Sequence, residues 1–473
     1  MRRILAAVPR SKSVELRDAF IRRPVFVTNE VMASSLVHRR DLAVGVLLFA
    51  LSYSIFILSP VQQPADSLYS MMVSQSLIER RTFALDHYKF PNLNPIQSKK
   101  FHSNSSIYHL DLIDGHVYYY YGPGSSILSV PYVAMMNVFG VNAATENGTH
   151  DPAGEMRIQT GLASLLMAAL AVVFFLTSRV VLPSSWSVAI AAGGAFGTQV
   201  LSTATRALWA HTWIIFLLGF VVLLLVGHEL KGWRLRPVVL ASLLSWMFFV
   251  RPTAIVPIVV VSVYVLVFER DLFVRYAAMG VVWLLLFLIY SWHNFGQLLP
   301  NYYRLGSQLR SHSLWVAVLG NLVSPSRGLL IFVPSLIFVG YLLIRYGKYV
   351  QSRRLLIVSL TVLVLHLILV SSFPIWWAGF SFGPRFLTDV VPWLVLLAIM
   401  GVQAMLLANQ HRAPVFKKAE VIAGTILLAA SIFIHARGAN SPATQMWNVR
   451  PVSVDEHPER LWDWRDPQFL ARD

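Results

Sequence analysis

Apolar runs of bilayer length recur in this chain from Leu42 to Ile434. A membrane-spanning helix needs about 20 largely apolar residues, and hydrocarbon offers the backbone no partners, so each run has to satisfy its own N–H and C=O groups as a helix. Of the 473 residues, 56% are hydrophobic and 13% charged. A soluble domain carries about 25% charged residues, so the deficit is close to half. The expected fold is an all-α polytopic membrane protein, a bundle of about 10–12 transmembrane helices with a long first outer loop.

The net charge of +16 does not point to nucleic acid. Lys and Arg gather in short clusters between apolar runs, the pattern that sets membrane orientation. The remaining arginines suit a bound anion such as a lipid phosphate. The absence of cysteine excludes disulfides, thiolate metal sites and cysteine nucleophiles. The first run, Leu42–Leu58, is long for a signal peptide and lacks a small-residue exit, so it reads as an uncleaved span. Residues 1–40, with Arg2, Arg3, Arg10, Arg39 and Arg40 among their basic groups, read as a cytoplasmic tail.

Loop one, residues 60–121, then lies outside. It is the longest polar connection and holds Asp66, Asp86, Asp111, Asp114, His87, His102, His109 and His116. Tyr69, Val73 and Leu77 recur every four residues, predicting an interfacial helix over 67–80. Twelve further apolar segments follow, from Gly124–Phe139 to Val421–Ile434. Basic clusters near Arg179, Lys231–Arg236, Arg270–Arg275, Arg345–Arg354 and Arg412–Lys418 all fit the cytoplasmic side if Trp315–Val323 stays at the outer interface. Parity fails at one place: two apolar segments separate loop one from Arg179, where one or three crossings are needed. Either Gly124–Phe139, broken by Pro131, is re-entrant, or the Arg179 and Lys231 clusters lie on opposite sides. The organisation is a basic tail (1–40), a transmembrane domain (41–435) and a polar, extracytoplasmic C-terminal tail (436–473).

Asp66 stands just past a span, where a carboxylate needs water, a partner or a metal. It suits a general base for a hydroxyl, and equally a cap for the helix that follows. Asp111 is a second acid of the same loop. Asp114 precedes Gly115 and suits a turn. The histidines lack metal-ligand spacing. Arg251 sits in FFVRPTA, where Pro252 breaks the helix. Arg206, Arg304, Arg327 and Arg385 also flank outer loops; each fits snorkelling at the interface or a phosphate cradle. The densest signal is WWAGFSFGPRF, from Trp376 to Phe386, because an aromatic belt has no need of a Gly-Pro-Arg turn.

These stretches together carry a resemblance: PADSLYSMMVSQSLIERRTFALD, YYYYGPGSSILSVP, RPTA, HNFGQLLPNYY with SPSRGLLIF, and WWAGFSFGPRFL. In this order and spacing the chain resembles the GT-C class of integral-membrane glycosyltransferases, particularly bacterial members related to the protein-mannosyltransferase and aminoarabinose-transferase group. The resemblance implies a GT-C-like bundle, a polyprenyl-phosphate-linked sugar as donor, and a glycan, lipid or protein acceptor. It implies a bacterial inner-membrane location with an outward-facing site, and it makes Asp66 the matching catalytic acid. Many relatives place a second acid directly after it; Ser67 stands there instead. That favours a plain general base; the resemblance implies no certain cofactor, and a divalent metal stays open but not favoured.

On this reading a hexosyl or pentosyl unit is transferred with inversion. Arg385, Arg251, Arg304 and Arg327 bind the donor phosphate, and Tyr119, Tyr121, Trp376, Trp377 and Asp111 line the substrate groove. A polysaccharide polymerase or ligase using a lipid-linked oligosaccharide, and a lipid or glycan transporter, are the alternatives.

Overall fold

A computed structural model describes residues 39–95, 105–304, 313–410 and 418–472. His102, most of the basic N-terminal tail and part of the 291–312 loop lie outside the described residues. The chain divides into two compact units, residues 1–44 and 45–473. Apart from the first residues of the helix Arg39–Leu58, everything that follows lies in the second.

Helices carry nearly all the structure. Among the described residues, seven are long and apolar enough to cross a membrane: Arg39–Leu58, Pro152–Arg179, Ala210–Lys231, Arg270–Phe295, Arg353–Ser371, Arg385–Gln410 and Lys418–Asn440. Shorter apolar helices at Pro237–Val250, Pro252–Phe268 and Ser335–Arg345 add to them, as does Ser184–Phe196, prolonged by a π turn at Val200–Ala204. Local chemistry sets many of the ends. Asp151 caps Pro152–Arg179 by accepting from the Ala153 and Gly154 N–H groups, with Pro152 where a helix tolerates it. Pro252 favours extended backbone before it, so Pro237–Val250 stops and Arg251 sits at φ −159°, ψ 135°.

The helices run between two ends of the bundle. At the basic end, Glu229 accepts from Tyr264 and Ser352 and lies 3.5 Å from Arg354, while Glu420 accepts from Tyr341 and Tyr346. At the other end, the Val61 N–H donates to Ala439 and the Gln63 N–H to Arg206, tying the start of loop one to two distant helices.

The disputed segment resolves at this second end. Pro123–Val138 begins beside Phe249 and Val250, close enough that a Cβ on Gly122 would lie 2.6 Å from the Phe249 carbonyl. Just beyond its far end, the Ala143 N–H donates to Gln75 Oε1 of loop one, and the Lys89 N–H donates to Gly148. Both ends therefore return to loop one, and this helix does not cross. Pro152–Arg179 is then the single pass down to Arg179, and Ser184–Ala204 and Ala210–Lys231 run up and back. Parity is satisfied with the Arg179 and Lys231 clusters at one end.

The predicted loop-one helix forms over Ser70–Arg80, three residues later than expected. It is not interfacial: Ser70–Ser76 are all buried. Its serines explain this, since Ser74 Oγ donates to the Ser126 carbonyl and Ser126 Oγ to the Ser70 carbonyl, joining it to Pro123–Val138. A two-stranded antiparallel hairpin, β1 (Leu110–Ile113) and β2 (His116–Tyr119), completes the loop. Asp114 and Gly115 form its turn, both at positive φ, as the D-G pair predicts.

Candidate active site

Asp66 is held by its backbone, which leaves its side chain to a single partner described below. The residues around it are pinned from four directions. Arg206, fully buried, donates to the carbonyls of Phe56, Ser59 and Val61. Gln159 donates to the Ser67 carbonyl and accepts from the Leu208 N–H. His109 lies 2.8 Å from the Ala65 carbonyl, and the Tyr119 hydroxyl donates to the carbonyl of Asp66 itself. Burial holds the His109 imidazole below its ordinary value, which keeps it a neutral Nε2–H donor to Ala65.

The helix that follows is not capped by Asp66. Tyr69, its N-cap, sits at φ 70° and makes no side-chain cap. The N–H groups of Tyr69 and Met71 that lack intrahelical partners go to Glu155 instead, at 3.0 and 2.9 Å, and His150 Nε2 lies 2.7 Å from the same carboxylate. Glu155 is 1% exposed and comes from the start of Pro152–Arg179. The orphan donors of a helix start are thus met by a remote acid, and the Asp66 carboxylate is left for other work.

That carboxylate meets Arg385. Asp66 Oδ2 lies 3.0 Å from Arg385 Nη2, across a sequence separation of 319 residues. The Asp66 side chain keeps 31% of its surface exposed against 9% for Arg385. The Arg385 guanidinium lies 4.3 Å from the Trp209 ring centroid and 5.3 Å from that of Phe386. Its Nε is buried with no hydrogen-bond partner. The arginine therefore retains donor capacity beyond the ion pair, next to a partly exposed carboxylate.

Tyrosines surround the pair. Tyr119 and Tyr121 pack at 5.5 Å between ring centroids, and Tyr302 packs on Tyr121 at 5.2 Å. Burial first, then the Asp66 charge, pushes the Tyr119 and Tyr121 phenols well above their ordinary value, so both remain protonated donors. Tyr302 is pushed up to about 12, mainly by burial, and feels Arg251, Asp66, Asp389 and Arg385 together.

The remaining predicted residues lie elsewhere or one layer further in. Arg251 is buried beside the Phe386 ring, 5.4 Å from its centroid. Arg327 is fully buried and donates to Trp377, Ser326, Gly379, Gln468 and Asn448, so protein acceptors use its donors. Burial pulls its guanidinium down to about 9, still charged at neutral pH. Trp376 packs into a cluster with Ala317, Trp447, Val454 and Leu461, and Trp377 Nε1 donates to Asp455. Both tryptophans thus contact the C-terminal tail. Gln468 of that tail accepts from the Gly383 N–H and donates to the Ser381 carbonyl, bracing the turn that delivers Arg385. Arg304 is exposed and bonds Gln297 Oε1. Asp111 is buried on β1, facing Tyr118 in register. Among the described residues no three His, Asp or Glu groups are placed to share a metal ion.

Sequence reasoning missed Glu155, Gln159, His211, Tyr302 and Asp389. The only signal was local: Asp389 and His211 are ionisable residues inside apolar runs.

No family model and no curated protein matches the chain. Solved structures do. An Archaeoglobus fulgidus oligosaccharyltransferase tethered to an acceptor peptide aligns at TM-score 0.51 and 12% identity, covering 89% of this chain and 59% of that one. ArnT from Cupriavidus metallidurans aligns at TM-score 0.44 and 14% identity, covering 84% and 70%. The first alignment shows that the two chains share a fold.

Proposed function

We propose that this integral membrane protein is a glycosyltransferase that moves one sugar, a hexosyl or pentosyl unit, from a polyprenyl-phosphate donor to an acceptor hydroxyl on a glycan, lipid or protein. One observation carries the reading: the partly exposed Asp66 carboxylate faces Arg385, a buried cation with an unpartnered Nε. A base beside a phosphate-binding arginine is what inverting transfer from a phosphate leaving group requires. The GT-C fold supports the same class.

In the resting site each group occupies the other. An arriving donor phosphate competes for Arg385, which suits oxyanions through its fork of donors. Asp66 is then free to accept the acceptor hydroxyl's proton. The oxygen attacks the anomeric carbon from the face opposite the phosphate, the carbon–oxygen bond to phosphate breaks, and the lipid phosphate leaves with the electron pair to Arg385. Tyr121, as a protonated donor, lines the sugar side together with the ring of Tyr119, whose hydroxyl holds the Asp66 carbonyl. The described basic clusters lie at the far end of the bundle, which under the positive-inside rule supports an extracytoplasmic site and suits a bacterial inner membrane. No metal is needed for these steps.

Asp66→Asn in purified, folded protein tests the base. Transfer falls about 10²–10⁴-fold if Asp66 takes the proton, and a rate near wild type sinks the assignment. Arg385→Ala raises the donor KM more than the acceptor KM; equal effects on both argue against its phosphate role.

A further inference from the structure

Behind Phe386 lies a second buried ionic group that the mechanism above does not use. His211 Nδ1 is 2.6 Å from Asp389 Oδ1, and Arg251 Nη1 is 2.7 Å from His211 Nε2. The carboxylate accepts, so Nδ1 carries the proton; Arg251 Nη1 also lies 3.0 Å from Nδ1, so the guanidinium packs over the imidazole ring. Thr253 donates to the other oxygen of Asp389 at 3.2 Å. His366 Nε2 donates to the Phe386 carbonyl and lies 3.9 Å from Asp389. His211 is 1% exposed, Asp389 6% and Arg251 8%. Arg251 Nε stands 3.9 Å from Asp389, beyond hydrogen-bond range, so the imidazole of His211 packed against it is what orients the guanidinium.

The same two segments hold both arginines. Trp209 and His211, at the entry to Ala210–Lys231, lie under Arg385 and Arg251 respectively. Arg385, Phe386 and Asp389 share one 3-10 turn, Arg385–Val390. Both guanidiniums lie against the Phe386 ring, at 5.4 and 5.3 Å. Two like charges in a setting this buried are costly unless each is neutralised or an anion joins them. Each has its own carboxylate, but only Arg385 touches one directly.

We propose that His211 and Asp389 are positioning residues that present Arg251 as a second cation to the ligand held by Arg385, so that a phosphate group is gripped by two guanidiniums at Phe386. This rests on the phosphate-donor reading above. His211 fixes the plane of Arg251, and Asp389 fixes the tautomer of His211. The arrangement leaves the remaining Arg251 donors for an oxyanion.

Equilibrium binding of a long-chain prenyl monophosphate to purified full-length protein tests this, with the neutral prenol as control. Wild type binds the phosphate and not the prenol. Arg251→Met and His211→Leu each weaken phosphate binding by at least about tenfold, and the double variant is no weaker than Arg251→Met alone, because His211 acts through Arg251. His211→Phe, which keeps a flat ring beside Arg251, recovers part of the loss. Arg251→Met strands the Asp389 charge, so Arg251→Met/Asp389→Asn, which removes both charges, serves as the folded comparison and still binds weakly. Additive losses in the double variant, or wild-type affinity in the Arg251 variants while Arg385→Ala loses binding, overturn this inference and leave the proposed function standing. Failure of wild type to prefer the phosphate over the prenol overturns both.

Discussion

The frame beneath Asp66 is testable apart from its chemistry, through Glu155. This acid accepts the N–H groups of Tyr69 and Met71 at 3.0 and 2.9 Å, and it is 1% exposed. Hydrogen bonds to a charged acceptor contribute about 1.5–3 kcal/mol each, so Glu155→Ala should cost about 3–6 kcal/mol and strand two buried donors. Glu155→Gln keeps one acceptor and should cost roughly half of that. Tyr69 holds a positive φ that a non-glycine residue adopts only when its surroundings impose it, so the loss should appear first at that turn. Hydrogen exchange over residues 67–76 in detergent reads it directly, with thermal unfolding as the global measure. Exchange should accelerate in the order wild type, Gln, Ala. Transfer should fall as protection is lost, by up to roughly 10²-fold, since Asp66 lies three residues away and small misplacements of a catalytic group are expensive. Unchanged protection at Tyr69 and Met71 in Glu155→Ala would refute the remote cap and with it the reason Asp66 is free.

Two further predictions concern the same region. Burial lowers the His109 value below its ordinary 6.5, so between the lowered value and 6.5 the unfolded chain binds a proton that the fold does not. Stability therefore falls as pH drops through that window, and His109→Gln should flatten this part of the pH profile of thermal unfolding. Gly383 sits at φ 59°, and a Cβ there would lie 2.5 Å from the Phe332 ring. Gly383→Ala should cost about 2–5 kcal/mol through left-handed strain and overpacking, seen as a lower melting temperature, with weaker phosphate binding because the next residues deliver Arg385.

The Asp66–Arg385 partnership was partly legible because each residue breaks a local expectation. One is an acid just past a span; the other follows a Gly-Pro turn beside an aromatic belt. Their separation of 319 residues carries no pattern, so the sequence offers candidates and only the fold joins them. The reading was poorer where a residue suits two roles. Arg327 and Arg385 look alike in sequence, both at outer loops near glycine. Arg327 is enclosed by five protein acceptors, whereas Arg385 has one carboxylate and two aromatic rings. What separates them is the C-terminal tail: Gln468 and Asn448 reach Arg327, and nothing in the residues around 327 announces that. Glu155 was hidden for the same reason, since its partners are backbone N–H groups that any residue could supply.

Topology failed at one helix for a reason that bears on function. Pro123–Val138 reads as an apolar segment in the sequence, and counting it as a crossing breaks the alternation of basic clusters. Its serines show why it stays at one end. Ser126 is bonded to loop one, and Trp213 Nε1 donates to Ser129, so this face packs on protein rather than lipid. A helix held in this way adds a wall to the site without adding a pass. It begins two residues after Tyr121, whose ring faces Tyr119 and Tyr302, and it ends where Ala143 meets Gln75 on the helix that follows Asp66. The segment that spoils the hydropathy count is therefore the one that closes loop one around its carboxylate. In a chain of this kind, a break in charge parity next to a long polar loop marks where the bundle has been opened to build a site.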